Sequence, residues 1–347
     1  MAIINKPSDY FNTKLYTGNG GTQSITGVGF QPNMTWIKGR SFVDNHFITD
    51  SVRGVTKTIF PDLTAAEETQ SGALTAFGSD GFSVGSMAEG NTNGATFASW
   101  NWKAGTSVSG TSTGSGTGKA YSGSVNTTSG FSIIKYLGNG SSGHTIPHHL
   151  SAVPQFIVVK SLDRGTNWIT YQAPLGAGKF LRLNQTNAES TSSSRWNDTT
   201  PTSTVFTVGN DGDLNNNDEN YIAYIIANVQ GYSKIGSYVG NGNADGTFVY
   251  TSFKPAWIMI KVTSTTSNWG MFDNKRLGFN PKNEFVRANE TAAESSDYDG
   301  IDFLSNGFKL KTTSTLVNAA QTYIYMAFAE NPFVTSTDNG SIPATAR

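Results

Sequence analysis

The sequence predicts an all-β chain made of three homologous β-sandwich units of jelly-roll or lectin-like type. Three observations carry that prediction. The first is a recurring phrase: Tyr16-x-Gly18-Asn19-Gly20 returns as Tyr136-x-Gly138-Asn139-Gly140 and as Tyr238-x-Gly240-Asn241-Gly242. The second is a fixed spacing after each copy. A proline leads by six residues to a lysine (Pro32 and Lys38, Pro154 and Lys160, Pro255 and Lys261), and seven residues later stands Asn45, Asn167 or Asn268. A Thr-x-Ala-Glu element then ends at Glu67, Glu189 and Glu294. The third is composition: 38 Gly among 347 residues, with 12% aromatic, suits short strands joined by turns and excludes a disordered chain.

The repeat divides the chain into residues 1–104, 130–231 and 232–333, with a tail at 334–347. Residues 105–129, rich in Gly, Ser and Thr and nearly free of large apolar side chains, read as a flexible linker. Units 2 and 3 abut without a spacer, so tight packing between them is expected. Thr35-Trp-Ile-Lys38, Gln155-Phe-Ile-Val-Val-Lys160 and Ala256-Trp-Ile-Met-Ile-Lys261 read as strands entered just after a proline. Proline fixes φ and brings no N–H to a ladder, which suits a strand entry. The last strands are Phe97-Ala-Ser-Trp-Asn-Trp102, Tyr221-Ile-Ala-Tyr-Ile-Ile226 and Tyr323-Ile-Tyr-Met-Ala-Phe328. Asp80-Gly81 and Asn306-Gly307 signal hairpin turns, with Asp211-Gly212 as the expected counterpart in unit 2. Only the stretch at residues 64–70, and its counterparts, has room for a helical turn.

Composition also removes several function classes. A net charge of -1 with 14% charged residues argues against a nucleic-acid binder. The absence of cysteine excludes disulfides, Cys-ligated zinc and thiol catalysis. No apolar run is long enough to insert in a membrane, and the opening residues form no signal peptide. Walker, His-Glu-x-x-His and Gly-x-Ser-x-Gly motifs are missing, so no cofactor is expected and the chain reads as non-enzymatic.

Some longer runs resemble a known family. They are Gly29-Phe-Gln-Pro-Asn-Met-Thr-Trp-Ile-Lys-Gly-Arg-Ser41, Asp50-Ser-Val-Arg-Gly54, Gly231-Tyr-Ser-Lys-Ile-Gly-Ser-Tyr-Val-Gly-Asn-Gly242 and Phe328-Ala-Glu-Asn-Pro-Phe333. Together the chain resembles tail-fibre-like virion proteins of phages that infect marine bacteria. The resemblance implies a structural role on the particle, at tail or capsid surface, after assembly in the host cytoplasm. It implies other virion proteins and a host-surface glycan or envelope component as partners, and it carries no enzymatic residues. A fibre favours homotrimerisation, whereas three internal repeats offer pseudo-threefold symmetry within one chain. The first repeat opens almost at once, without a long N-terminal shaft, so capsid decoration or particle stabilisation is the main alternative. A glycan depolymerase is a third reading, for which no isolated acid pair stands out.

The repeat also sorts candidate residues, because features shared by all copies are expected to be scaffold. The three glutamates fall under that rule. Asp50 and Arg53 recur as Asp273 and Arg276, while unit 2 has Gln172 and Leu175. A carboxylate beside a guanidinium suits a sugar hydroxyl, and equally suits a mutual ion pair. Trp36 and Trp257 are expected in the core, and Trp168, Trp269 and His46 share one equivalent position. Trp196, with Arg195, occurs in one copy within a polar stretch and is the aromatic candidate for surface contact. His144, His148 and His149 lie close in sequence, but neighbours in an extended segment point to opposite sides. No metal is expected; a weak calcium candidate is the oxygen-rich loop with Asp211, Asp213, Asp218 and Glu219.

Overall fold

The computed structural model describes residues 3–296 and 300–334, and it is almost entirely β. The tail read at 334–347 lies outside the described residues apart from Val334. Unit 1 contributes β1 (Phe11–Thr17), β2 (Gln23–Thr26), β3 (Met34–Gly39), β4 (Phe47–Asp50), β5 (Lys57–Thr58), β6 (Glu68–Thr69), β7 (Leu74–Gly78), β8 (Gly81–Val84), a helical turn α1 (Ala88–Asn91) and β9 (Thr96–Trp102). The stretch read as a linker comes next as β10 (Thr106–Thr111), β11 (Thr113–Gly114) and β12 (Ala120–Asn126). Unit 2 holds β13 (Phe131–Leu137), β14 (His144–Pro147), β15 (Phe156–Ser161), β16 (Ile169–Gln172), β17 (Lys179–Arg182), β18 (Ser190–Thr191), α2 (Ser193–Trp196), β19 (Val205–Val208), α3 (Gly212–Asn215) and β20 (Asn220–Ile226). Unit 3 holds β21 (Ser233–Val239), β22 (Phe248–Tyr250), β23 (Phe253–Val262), β24 (Gly270–Asp273), β25 (Val286–Arg287), β26 (Ile301–Leu304), β27 (Gly307–Leu310) and β28 (Thr322–Pro332).

Each unit is a sandwich of one larger and one smaller antiparallel sheet. The larger sheets run β1-β9-β3-β4, β13-β20-β15-β16-β17-β18 and β21-β28-β23-β24-β25, so the last strand of every unit sits second, beside the first. The smaller sheets are β2-β8-β7, β11-β14-β19 and β22-β27-β26. The turns at Asp80-Gly81 and Asn306-Gly307 join β7 to β8 and β26 to β27 as expected. Asp211-Gly212 does not. There Asp211 caps α3, its side chain accepting the Asp213 amide, because unit 2 replaces the hairpin with α2. Residues 64–67 are not helical either; the single-turn helices lie elsewhere.

The supposed linker is the clearest correction. β10 and β12 extend the larger sheet of unit 2 beyond β13, and β11 pairs with the outer edge of β14 in the smaller one. Composition misled because a strand pairing at a sheet edge needs few apolar residues. The ladder satisfies its backbone, and Val108, Tyr121 and Val125 suffice to dock it on the unit 2 core.

Every unit has its own interior, and the three then share a fourth. Strands β3, β15 and β23 read as apolar runs because both their faces are buried. Ile37, Ile157 and Ile258 point into their own sandwiches. Trp36, Val158, Trp257 and Met259 point the other way, into a common core with Trp100, Trp102, Tyr224, Ile226, Met326 and Phe328. Unit 1 is therefore packed into the assembly as fully as the other two. The residual void where the units meet, about 30 Å³, has Trp36, Trp102, Phe131, Trp168 and Met326 in its wall. Truncating one of these rings to alanine costs about 3–5 kcal/mol.

Candidate functional site: a pocket particular to the third unit

The repeated motifs build the scaffold, and they do so across unit boundaries. Lys38, Lys160 and Lys261 are fully buried. The Lys160 ammonium donates to the Thr64 carbonyl of unit 1 at 3.1 Å, and Lys261 to Thr186 of unit 2 at 3.1 Å. Lys38 closes the cycle on Thr291 of unit 3 at 3.0 Å. Burial pushes all three lysines down to about 8. The glutamate amides follow the same order: Glu67 donates to Leu162, Glu189 to Thr263 and Glu294 to Arg40. So do the aromatic ring N–H groups, Trp168 to Phe60 at 2.9 Å and Trp269 to Arg182 at 3.0 Å. In unit 1 His46 takes their place. Its Nδ1 accepts from the Trp36 indole at 2.9 Å, which leaves Nε2–H to donate to the Arg287 carbonyl at 3.0 Å. Burial first, and the Lys38 charge second, hold this imidazole well below its ordinary range.

Two of the three joints also carry a buried ion pair. Asp50 binds Arg53 at 2.6 Å and accepts from the Tyr224 hydroxyl of unit 2 at 2.7 Å. Asp273 binds Arg276 at 2.7 Å and accepts from the Trp100 indole of unit 1 at 3.1 Å. Burial raises the Asp273 carboxyl, but Arg276 and the amides of Arg276 and Lys275 hold it below the usual range. These four residues are buried and mutually satisfied, so they are not a surface for sugars; the ion-pair reading is the right one. The three glutamates are likewise engaged, with Arg53, Lys179, and Arg40 together with Arg276.

The phrase that opens each repeat is pinned by residues that sequence reasoning missed. Asn91, Asn215 and Asn318 are fully buried, and each accepts the amide of Asn19, Asn139 or Asn241 while its own amide reaches three further oxygens. The glycine two residues after the tyrosine is required by contact. A Cβ on Gly18, Gly138 or Gly240 would lie 2.3, 2.1 or 2.1 Å from a facing carbonyl oxygen. The signal in the sequence was an asparagine five or six residues ahead of the aromatic that opens the last strand.

The surface-contact candidates of unit 2, Trp196 and Arg195, are buried too, whereas Asp218 is exposed. Trp196 is 1% exposed and packs edge-on against Tyr171 and Phe206, because α2 turns it into the core while its polar neighbours face out. Arg195 is buried over the Phe180 ring and pairs with Asp211 and Asp213. Asp218 pairs with Lys119, and Glu219 with Arg164 at 2.7 Å. The four oxygen-rich carboxylates are thus spread over three separate cations, not turned toward one centre. His144 bonds Ser112 and Asn215, His148 bonds the Thr202 carbonyl, and His149 bonds the Tyr121 hydroxyl.

One copy-specific feature does open to solvent, and the repeat locates it. Six positions separate Arg53 from Ile59 and Leu175 from Leu181, whereas ten separate Arg276 from Val286. Ile59, Leu181 and Val286 are equivalent because each pairs with the strand before it (Ile48, Thr170, Met271). The extra residues raise Phe279 to 69% exposure at the rim of a depression of about 360 Å³. Its floor and walls are Lys254, Asn274, Asn280, Lys282, Phe303 and Glu330. Lys254 and Glu330 form a half-exposed ion pair at 3.0 Å. Asn280 clamps both backbone groups of Phe303 at 3.0 Å, and Lys282 donates to the Leu277 carbonyl. Burial, with Lys254 nearby, lowers the Lys282 ammonium. The Asn274 side-chain oxygen is buried and has no partner among the described residues. A half-exposed ammonium–carboxylate pair beside an aromatic face suits a hydroxyl-rich ring, and the second ammonium, Lys282, tips the balance of charge toward an acidic one.

A protein-family profile described as Domain of unknown function (DUF7483) matches residues 6–332. Comparison with curated proteins and with solved structures finds no match. Since the profile spans all three units and the strands between units 1 and 2, the chain belongs to the DUF7483 domain family.

Proposed function

We propose that this protein is a non-enzymatic, tail-fibre-like component of a phage virion that contributes to attachment on host-surface saccharide. The sequence runs that resemble such virion proteins support the setting. The unit 3 pocket carries the attachment reading: in a scaffold whose repeated polar groups are spent on holding units together, it sets an exposed ring beside a half-exposed ion pair. Phe279 offers its face to a sugar, and the half-exposed Lys254–Glu330 pair addresses adjacent hydroxyls. Several copies on one particle turn a weak site into firm attachment.

The test is calorimetry of the purified protein against oligosaccharides released from the envelope of a susceptible host. Binding that F279A and K254A each weaken by roughly tenfold, about 1.4 kcal/mol, supports the reading. Equal adsorption to susceptible and receptor-deficient cells, with no heat on any host saccharide, sinks it. Capsid decoration is the second reading, favoured by the edge strand β22 of unit 3, which has no outer partner among the described residues; electron microscopy of particles labelled at the C-terminus separates tail from capsid.

A further inference from the structure

The strand β11, which precedes unit 2, covers the β14 edge of its smaller sheet, and that makes unit 2 a template for unit 3. The register aligns the small sheets through three phenylalanines: Ile25 faces Phe82, Ile146 faces Phe206 and Val249 faces Phe308. Ser24, Thr145 and Phe248 are therefore equivalent, as are Thr26, Pro147 and Tyr250. In unit 2 the strand β11 lies along this edge, with Thr113 opposite Thr145 and their hydroxyls 2.8 Å apart. Among the described residues β2 and β22 have no such partner.

The two open edges differ in chemistry. Unit 1 presents Ser24 and Thr26, with Lys14 on the neighbouring β1, the polar and charged dressing expected of a protected edge. Unit 3 presents Phe248 at 45% and Tyr250 at 54% exposure, with Val239 exposed on the adjoining edge strand β21. β22 itself has neither charge nor proline. Its backbone is aimed outward at these two residues. Leu310 donates to the Thr247 carbonyl and Thr251 donates to Asn306, so residues 247, 249 and 251 turn toward β27. By the alternation of a strand, the N–H and C=O of Phe248 and Tyr250 turn away from it.

We propose that β22 pairs antiparallel with β22 of a second copy of this chain, forming a twofold dimer through the edge of unit 3. The segment is self-complementary. Centred on Val249, it sets Phe248 opposite Tyr250 of the second copy and Tyr250 opposite Phe248, each pair exchanging two main-chain hydrogen bonds. The aromatic side chains meet on one face, and Phe248 is already held against Gly307, where a Cβ would lie 3.1 Å from its ring. A net charge of -1 leaves little repulsion between copies. So short a contact sets the dissociation constant on the order of micromolar.

Sedimentation equilibrium on the full chain tests this. The expected result is a monomer–dimer equilibrium whose dissociation constant rises at least about a hundredfold in F248D/Y250D and is unchanged in S24D/T26D, the equivalent pair in unit 1. Hydrogen exchange on the unmodified protein adds a measurement independent of any variant's folding: the Phe248 and Tyr250 amides gain protection as concentration rises. A chain that stays monomeric, or a larger oligomer indifferent to F248D/Y250D, overturns the proposal, as do edge amides whose protection ignores concentration.

Discussion

The joint between units 1 and 2 and the joint between units 2 and 3 solve one packing problem in two ways. At the first, a buried carboxylate receives a hydroxyl from the next unit, Asp50 from Tyr224. At the second, the equivalent positions are held by Gln172 and Met326, a side-chain amide and a thioether, and the Gln172 amide donates to Thr170 of its own unit. Acceptor and donor disappear together, and so does the arginine, replaced by Leu175. The difference teaches that the ion pair is an option of this architecture and not its foundation. What recurs without exception is the lysine–carbonyl contact, the glutamate amide and the ring N–H. Buried ion pairs often contribute little beyond a well-packed apolar substitute, yet breaking one is costly.

That contrast can be broken most severely at Asp273. D273A leaves the buried Arg276 guanidinium with only the longer Glu294 pair and the Met271 carbonyl and removes the acceptor of the Trp100 N–H, with an expected loss of about 3 kcal/mol in chemical denaturation. Next in size is Y224F, which removes one donor from the buried Asp50 and costs about 1.5–3 kcal/mol. Its counterpart Q172M sharpens the point: the Gln172 side-chain oxygen has no partner among the described residues, so stability stays within about 1 kcal/mol of the parent. Were Q172M as damaging as Y224F, the two joints would be energetically alike.

Asp62 supplies a substitution expected to stabilise. It accepts the His46 amide where Asn184 accepts from Trp168 and Asn289 from Trp269. Those asparagines donate their own amides to Asn167 and Asn268, whereas the second Asp62 oxygen is buried with no partner among the described residues. Burial pushes this carboxyl up to about 7. A raised carboxyl binds its proton more tightly folded than unfolded, so it loses stability as pH climbs from about 4 to about 7. D62N should gain about 1 kcal/mol at neutral pH and nothing near pH 4, read as paired urea midpoints.

The last effect is spread over a wide pH window, the alkaline slope. With the three joint lysines held at about 8 in the folded chain, the unfolded chain binds more protons from about pH 8 upward. Stability therefore rises with pH in that window. It turns down beyond about pH 10, where unfolded tyrosines ionise but the buried Tyr136, Tyr224 and Tyr238, raised by desolvation, do not. K261M should flatten the rising limb, and a urea titration across the window checks it.

The repeat made the strands, the hairpins of units 1 and 3 and the structural nature of the shared glutamates legible in the sequence. The common core was hidden, because an apolar run says that a strand is buried on both faces but not what covers the second face. Trp196 was misplaced for a related reason: polar neighbours describe the outside of a turn and not the direction of its one ring. The strands at 106–126 escaped because edge pairing rests on backbone bonds that leave no apolar pattern. The pocket was within reach. Counting the spacing between equivalent residues, instead of scanning for unusual residue types, exposes the longer loop around Phe279.

Lys38 waits for a partner 253 positions away, and its bond across the first and third units cannot form until Thr291 has been made. At roughly 5–20 residues per second on the ribosome, that is a delay of about 10–50 s. Through that interval the flank of unit 1 carrying Trp36, Trp100 and Trp102 has no unit 3 to cover it. Cyclic closure thus gives the finished protein a core shared by all its parts. The nascent chain meets its greatest hazard of misassociation in the seconds before its final third emerges.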